Sequence, residues 1–171
     1  MEKMESYIKA ALEKDVRNAA IIETSKIFTA PWVRLKCQFG CPLYGKGWCC
    51  PPHSPTWEET RKILDSYQYA IILHYEGKTG LDKAFNEIVA DLEKTLFLDG
   101  YYKAFAMGSG PCRKCTECDP TGSCKNPMSA RPSMESCGID VFKTVREHSF
   151  PIQVVRERKD HKDLYGIVLV E

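Results

Sequence analysis

Nine cysteines dominate the chemistry available to this chain of 171 residues. They are confined to two segments: the first holds Cys37, Cys41, Cys49 and Cys50, and the second holds Cys112, Cys115, Cys118, Cys124 and Cys137. Cysteines that act as small core residues would instead be scattered through strands and helices. The clustering predicts that these thiols bind metal.

Both cysteine segments are rich in proline, including Pro42, Pro51 and Pro52 in the first and Pro111 and Pro120 in the second. Proline is a poor interior residue for a helix or strand, but it holds a loop in one shape. We therefore predict two metal-binding loops, at residues 37–55 and 108–137, that present sulfur atoms.

The second segment carries the run Cys112-x2-Cys115-x2-Cys118-x5-Cys124. Three thiolates at this spacing can reach different corners of a cubane cluster, and a fourth can close it, as in the bacterial ferredoxin run. The last interval is five residues here, whereas that run has three. Zinc sites prefer two well-separated Cys-x2-Cys pairs. We therefore expect a [4Fe-4S] cluster, with zinc as the alternative.

The first segment has the pattern Cys37-x3-Cys41-x7-Cys49-Cys50, which favours Cys37, Cys41 and Cys50 as ligands of a second cluster. Two prolines follow Cys50 directly and should fix the direction of its thiolate. The fourth ligand stays open, the candidates being Cys49, Cys137, His53 or an exogenous molecule. An iron without a fourth protein ligand could bind substrate, so this position separates an electron relay from a catalyst.

The remaining residues predict the elements that position these loops. Apolar periodicity and capping signals predict helices at residues 4–12, 56–66, 81–96 and 140–147, and strands at residues 19–28, 69–75, 102–107 and 164–170. The strand, helix and strand over residues 69–107 predict a βαβ unit with parallel strands. We expect a single domain over residues 1–171, of class α/β or α+β, with flanking helices and an open mixed sheet. The second cysteine loop begins at the carboxyl end of a predicted strand, which is where open α/β sheets commonly place their binding sites.

Composition excludes several classes of protein. The 24 Lys and Arg balance 23 Asp and Glu, whereas nucleic-acid binders normally carry a basic excess. The longest apolar runs are far shorter than the ~20 residues of a membrane span. Residues 1–9 lack the apolar core of a signal peptide, and an odd number of cysteines argues against disulfides. We expect a cytoplasmic protein that binds neither nucleic acid nor membranes; its oligomeric state stays open.

Several motifs together resemble the predicted metal-binding proteins of domain of unknown function 2284. They are Lys36-Cys37, Cys41-Pro-Leu-Tyr44-Gly45, Trp48-Cys-Cys50-Pro-Pro-His-Ser-Pro-Thr56, Gly110-Pro-Cys112-x2-Cys115-x2-Cys118, Ala130-Arg-Pro-Ser-Met-Glu135 and Gly138-Ile-Asp-Val141. The resemblance implies metal binding through Cys37, Cys41, Cys50, Cys112, Cys115, Cys118 and Cys124. It implies no such role for Cys49 and Cys137, and it leaves the reaction open.

Two cysteine sites without a substrate motif favour electron transfer. The leading hypothesis is an iron–sulfur protein of an anaerobic or strictly reducing cell, with two [4Fe-4S] clusters and a redox partner protein. The alternatives are an enzyme with an open iron at the first cluster and a zinc-stabilised structural or binding module. Four basic residues lie beside the second segment: Arg113, Lys114, Lys125 and Arg131. They either raise the potential of a cluster or dock an acidic partner, or they are ordinary loop charges.

Overall fold

A computed structural model describes residues 2–77, 82–157 and 160–171, which form an α+β fold around a four-stranded open sheet. Its helices are α1 (Glu2–Leu12), α2 (Pro31–Gly40), α3 (Trp57–Leu64), α4 (Asp82–Leu98) and α5 (Val141–Glu147). Its strands are β1 (Asn18–Glu23), β2 (Tyr69–Gly77), β3 (Phe105–Met107) and β4 (Lys162–Leu169). Two short 3-10 turns occur at Thr24–Lys26 and Glu135–Cys137.

The helix signals in the sequence match the observed helix ends. Before α3, the Glu59 N–H donates to Thr56 Oγ1 (3.2 Å) and the Thr56 N–H donates to Glu59 Oε2 (2.7 Å), which is the predicted capping box. After α4, Gly100 adopts a φ of +101° that favours glycine and ends the helix. Leu81, predicted as the first residue of that helix, lies outside the described residues. Within the described part of the chain, no helix is long and apolar enough to cross a membrane.

The predicted α+β class and open sheet are confirmed, but the sheet is not mixed, because every ladder between the described strands is antiparallel. The strand order is β1-β2-β4-β3, and β4 pairs antiparallel with both of its neighbours. Strands β2 and β3 therefore run parallel, as the βαβ pattern predicted, but β4 lies between them. The buried apolar residues of β4 allow this insertion, since Ile167 pairs with Ile72 on one side and Met107 on the other.

The sheet has an apolar core on each face. Ile71 and Leu73 of β2 pack towards α1 and α4, whereas Ile72 packs on the opposite face with Met134 and Ile139. Each fully buried side chain of this kind contributes roughly 1.5–3 kcal/mol. The second core includes the 3-10 turn that follows the second cysteine run, so this face of the sheet supports the cysteine segments.

Helix α2 was not predicted: residues 37–40 were assigned to the first cysteine loop, and no helix was expected before them. It begins with Pro31 at its N-terminus, where the fixed φ and missing N–H of proline cost nothing. Cys37 therefore lies in the last turn of a helix, and only the residues from Cys41 onwards belong to a loop.

Polar contacts from α4 hold the second cysteine segment against the sheet. Asn86 exchanges two hydrogen bonds of 2.8 Å with the backbone of Ser109, just after β3. Glu93 accepts the Ala106 N–H at 2.7 Å and two bonds of 2.5 Å from the Arg131 guanidinium. A bidentate pair that is largely buried fixes its partners in one orientation. The segment is thus attached to α4 before and after its run of cysteines from Cys112 to Cys124.

We expect Glu93→Gln to lower the free energy of unfolding by about 2–3 kcal/mol, because it leaves the Arg131 guanidinium with a neutral partner in a largely buried site. Glu87→Gln is the matched control on the same helix. Its bond to Lys114 is longer, at 3.5 Å, and exposed, so the change should stay within about 0.5 kcal/mol. Urea unfolding measures both variants; equal losses would contradict an anchoring role for Glu93.

Candidate metal centre

The first cysteine segment forms one cavity. After α2, tight turns fold the chain back: the Tyr44 N–H donates to Cys41 O (3.2 Å) and the Cys50 N–H donates to Gly47 O (3.0 Å). Cys37, Cys41 and Cys50 line a cavity of about 220 Å³, which we call the first cavity. The structure thus brings together the three ligands predicted for the first site.

The second cysteine segment forms a neighbouring cavity. Cys112, Cys115 and Cys118 line this second cavity, whose volume is about 230 Å³. Three of the four residues of the predicted run therefore share one space. Cys124 is half-buried beside them and does not line the cavity.

Asn126 connects Cys124 to the rest of this site through hydrogen bonds to sulfur. Its backbone N–H donates to Cys124 Sγ at 3.4 Å, and its side-chain Nδ2 donates to Cys115 Sγ at 3.1 Å. Donors aimed at sulfur stabilise thiolate charge and tune a bound metal group. No sequence pattern singles out Asn126, since the contact depends on how the loop folds.

The two cavities adjoin, and Cys50 lines both of them. Gly47 shows how close the two sets of sulfurs are: a Cβ at this position would lie 3.7 Å from Cys50 Sγ and 3.9 Å from Cys118 Sγ. Next to it, the Cys49 thiol donates a hydrogen bond to the Cys112 sulfur. The two cysteine segments, distant in sequence, therefore form one continuous sulfur surface.

Burial and crowding raise the pKa of Cys37 and Cys50. Burial, followed by the neighbouring thiols of both segments, raises the pKa of Cys50 to about 11. Burial also raises the pKa of Cys37, against a smaller opposing effect of the Arg34 guanidinium. The hydrogen bond between Cys49 and Cys112 lowers the pKa of Cys112, which accepts it, and raises that of Cys49. A metal that binds here must displace protons from sulfur, so its affinity rises with pH.

None of the protein groups considered for the fourth position lines the first cavity. Cys49 faces Cys112, on the side of the second segment. Cys137 lies fully buried in the apolar core, where burial raises its pKa to about 12. His53 is exposed, with its ring 5.8 Å from that of Trp48.

Glu135 is the carboxylate that lines the first cavity. Its charge adds to the rise in the Cys37 pKa, which places it close to that thiol. Glu135 is the last residue of a motif that carries the family resemblance, but the motif predicts no role for its side chain. A carboxylate oxygen is a possible fourth ligand, although a less favoured one for soft metals than sulfur.

The cysteine sulfurs of the two segments are not arranged around the position of a single metal ion. Among residues 2–77, 82–157 and 160–171, no group of three or more His, Cys, Asp or Glu side chains is close enough to hold one metal ion. The donor chemistry is nevertheless that of a metal–thiolate site, with half-buried sulfurs around two cavities and N–H donors directed at two of them. The choice of individual ligands stays a prediction.

One of the basic residues near the second segment serves the fold, since Arg131 is bound by Glu93. Lys114 forms an exposed pair with Glu87, at 3.5 Å. Arg113 and Lys125 are exposed. On the first segment, the Arg34 guanidinium donates to Ser54 Oγ (3.0 Å) and to the Ser136 carbonyl (2.7 Å). It thereby connects α2 to the 3-10 turn that carries Glu135.

A family model described as "Predicted metal-binding protein (DUF2284)" matches residues 20–170. The chain belongs to this family. Comparisons with curated proteins and with solved structures give no match. The part of the chain shared with this family contains both cysteine segments, Glu135 and the whole sheet except the first two residues of β1, whereas α1 precedes it. The family thus supports metal binding and leaves the kind of metal open.

We expect Cys115→Ser to abolish metal binding at the second cavity, because Cys115 lines that cavity and accepts the Asn126 bond. Cys137→Ser should leave metal content nearly unchanged, since Cys137 lies in the core and lines neither cavity. Metal per chain after anaerobic purification measures both, with circular dichroism to check the fold. A folded Cys137→Ser protein with half the metal would refute this assignment.

Proposed function

We propose that this chain is a cytoplasmic iron–sulfur protein of an anaerobic or strictly reducing cell, which holds two [4Fe-4S] clusters and passes single electrons to a partner redox enzyme. The observation that supports it best is the pair of adjoining cavities, of about 220 and 230 Å³, each lined by three or more cysteines. Two iron–sulfur clusters held in adjoining cavities would give electrons a short path from one cluster to the other.

The donor set suits such clusters. Every candidate ligand in the two runs is a thiol, and soft thiolates select iron–sulfur clusters and zinc over harder ions. The second site would use the predicted ligands Cys112, Cys115, Cys118 and Cys124. The first would use Cys37, Cys41 and Cys50, with Glu135 or a bound molecule near the fourth position. When bound, a cluster of this type accepts and donates one electron at a time.

Neighbouring groups of this chain would set the potential. Reduction adds negative charge, and N–H donors aimed at sulfur stabilise it, so the two bonds from Asn126 favour the reduced form at the second site. At the first site, the positive charge of the Arg34 guanidinium also favours the reduced form, whereas the negative charge of the Glu135 carboxylate disfavours it. The second site should therefore be reduced more readily than a site without such donors.

Access for a partner supports transfer to another protein. The cysteines of both runs are only half-buried, so a docked protein could approach either site closely. Large apolar side chains are exposed on the same segments: Phe39 is 80 % exposed and Met128 is 88 % exposed. Exposed apolar groups beside a site are typical of contacts between proteins.

Anaerobic purification followed by iron, sulfide and EPR analysis tests the proposal. We expect about eight irons and eight sulfides per chain, because each [4Fe-4S] cluster carries four of each. After reduction, the EPR spectrum should show two interacting paramagnets. Fewer than about four irons per chain would exclude two clusters. A colourless protein with stoichiometric zinc from the same preparation would support the zinc-stabilised module instead.

A further inference from the structure

A third and larger cavity, of about 600 Å³, lies beside the first cysteine site. Its walls come from α2, the start of α5, residues 152–155 and the start of β4. This volume falls within the range of small-molecule sites, roughly 300–1,000 Å³. The metal-binding proposal makes no use of it.

The cavity has a rigid apolar floor. Val33, Ile139 and Tyr165 line it and are buried. Tyr165 is held in place because its hydroxyl donates to the Pro151 carbonyl and its ring stacks on His74 at 4.7 Å. A floor of this kind suits the flat or compact apolar body of a ligand.

The rim of the cavity is apolar and exposed. Trp32 is 44 % exposed on one side, and Val154 is 70 % exposed on a segment without regular secondary structure. Burying such side chains against a ligand would remove apolar surface from water, which is favourable. Floor and rim together favour a ligand that is largely apolar.

Two of the charged groups that line the cavity can bind an anion. Lys36 and Lys162 line it, and neither forms a salt bridge within the described residues. Of the two carboxylates, Asp163 accepts a hydrogen bond through its Oδ1 from His74 Nε2, at 2.9 Å. Glu135 also lines the first cavity, and so lies at the junction with the cysteines. The two ammonium groups are thus the ones available to a ligand.

We propose that this cavity binds a small organic anion, with a compact apolar body against the floor and one carboxylate-like group near Lys36 and Lys162. Cys37 and Cys41 also line this cavity, so a bound molecule would lie next to the first metal site. The proposal goes beyond the electron-transfer function and does not depend on which metal the cysteines hold.

Calorimetric titration of the metal-loaded protein with 1-naphthoate tests the proposal, with neutral 1-naphthamide as the matched probe. We expect one saturable site for naphthoate. Lys36→Glu should weaken naphthoate by ~5-fold and naphthamide by less than ~2-fold, because it reverses one charge beside the anion. Val33→Phe, which fills the floor, should weaken both probes by at least ~10-fold.

Lys103→Glu is the control variant, since Lys103 is exposed and does not line this cavity; it should leave both affinities unchanged. Metal content is measured on the same samples, so loss of metal is distinguished from loss of binding. Absence of a saturable site in fully metal-loaded protein would overturn the proposal. Equal binding of both probes, insensitive to Lys36→Glu, would overturn the anionic class. The wild-type protein could instead form a dimer that excludes naphthoate. If Val154→Lys dissociates that dimer, a second copy of the chain covers the cavity.

Discussion

The contact between the two cysteine segments is the interaction on which the candidate site depends. Cys50 lines the cavities of both segments, and the Cys49 thiol donates to the Cys112 sulfur. Burying these thiols and bringing so many of them together disfavours their ionisation, as the raised pKa of Cys50 shows. Such an arrangement is stabilised when a metal takes the place of the protons.

The rest of the fold holds these segments in position. Helix α4 fixes the second segment through Asn86 and Glu93, on both sides of the run from Cys112 to Cys124. Arg34 connects α2 to the 3-10 turn, and that turn packs on the sheet through Met134. Polar contacts with these rigid elements therefore help to fix the two segments.

Local signals predicted much of the fold, and non-local contacts explain what was missed. The capping box at Thr56 and the apolar period of α4 act within a few residues, so the sequence reveals them. The insertion of β4 between β2 and β3 depends on a strand far along the chain. Helix α2 was hidden because its proline, glycine and cysteine are equally typical of a loop. Cysteine spacing identified the ligand candidates, whereas the positions of Glu135 and Asn126 required the tertiary structure.

The central claim is that the two metal sites adjoin at Cys50, a ligand of the first site that also lines the cavity of the second. Metal content of anaerobically purified Cys50→Ser, compared with Cys37→Ser, tests it most directly, together with the spectrum of whatever metal remains. Cys37 lines the first of the two sulfur cavities and not the second, so Cys37→Ser should leave the second site intact. Cys50→Ser should lose the first site and also lower the occupancy or alter the spectrum of the second. A Cys50→Ser protein identical to Cys37→Ser in both measurements would contradict the account.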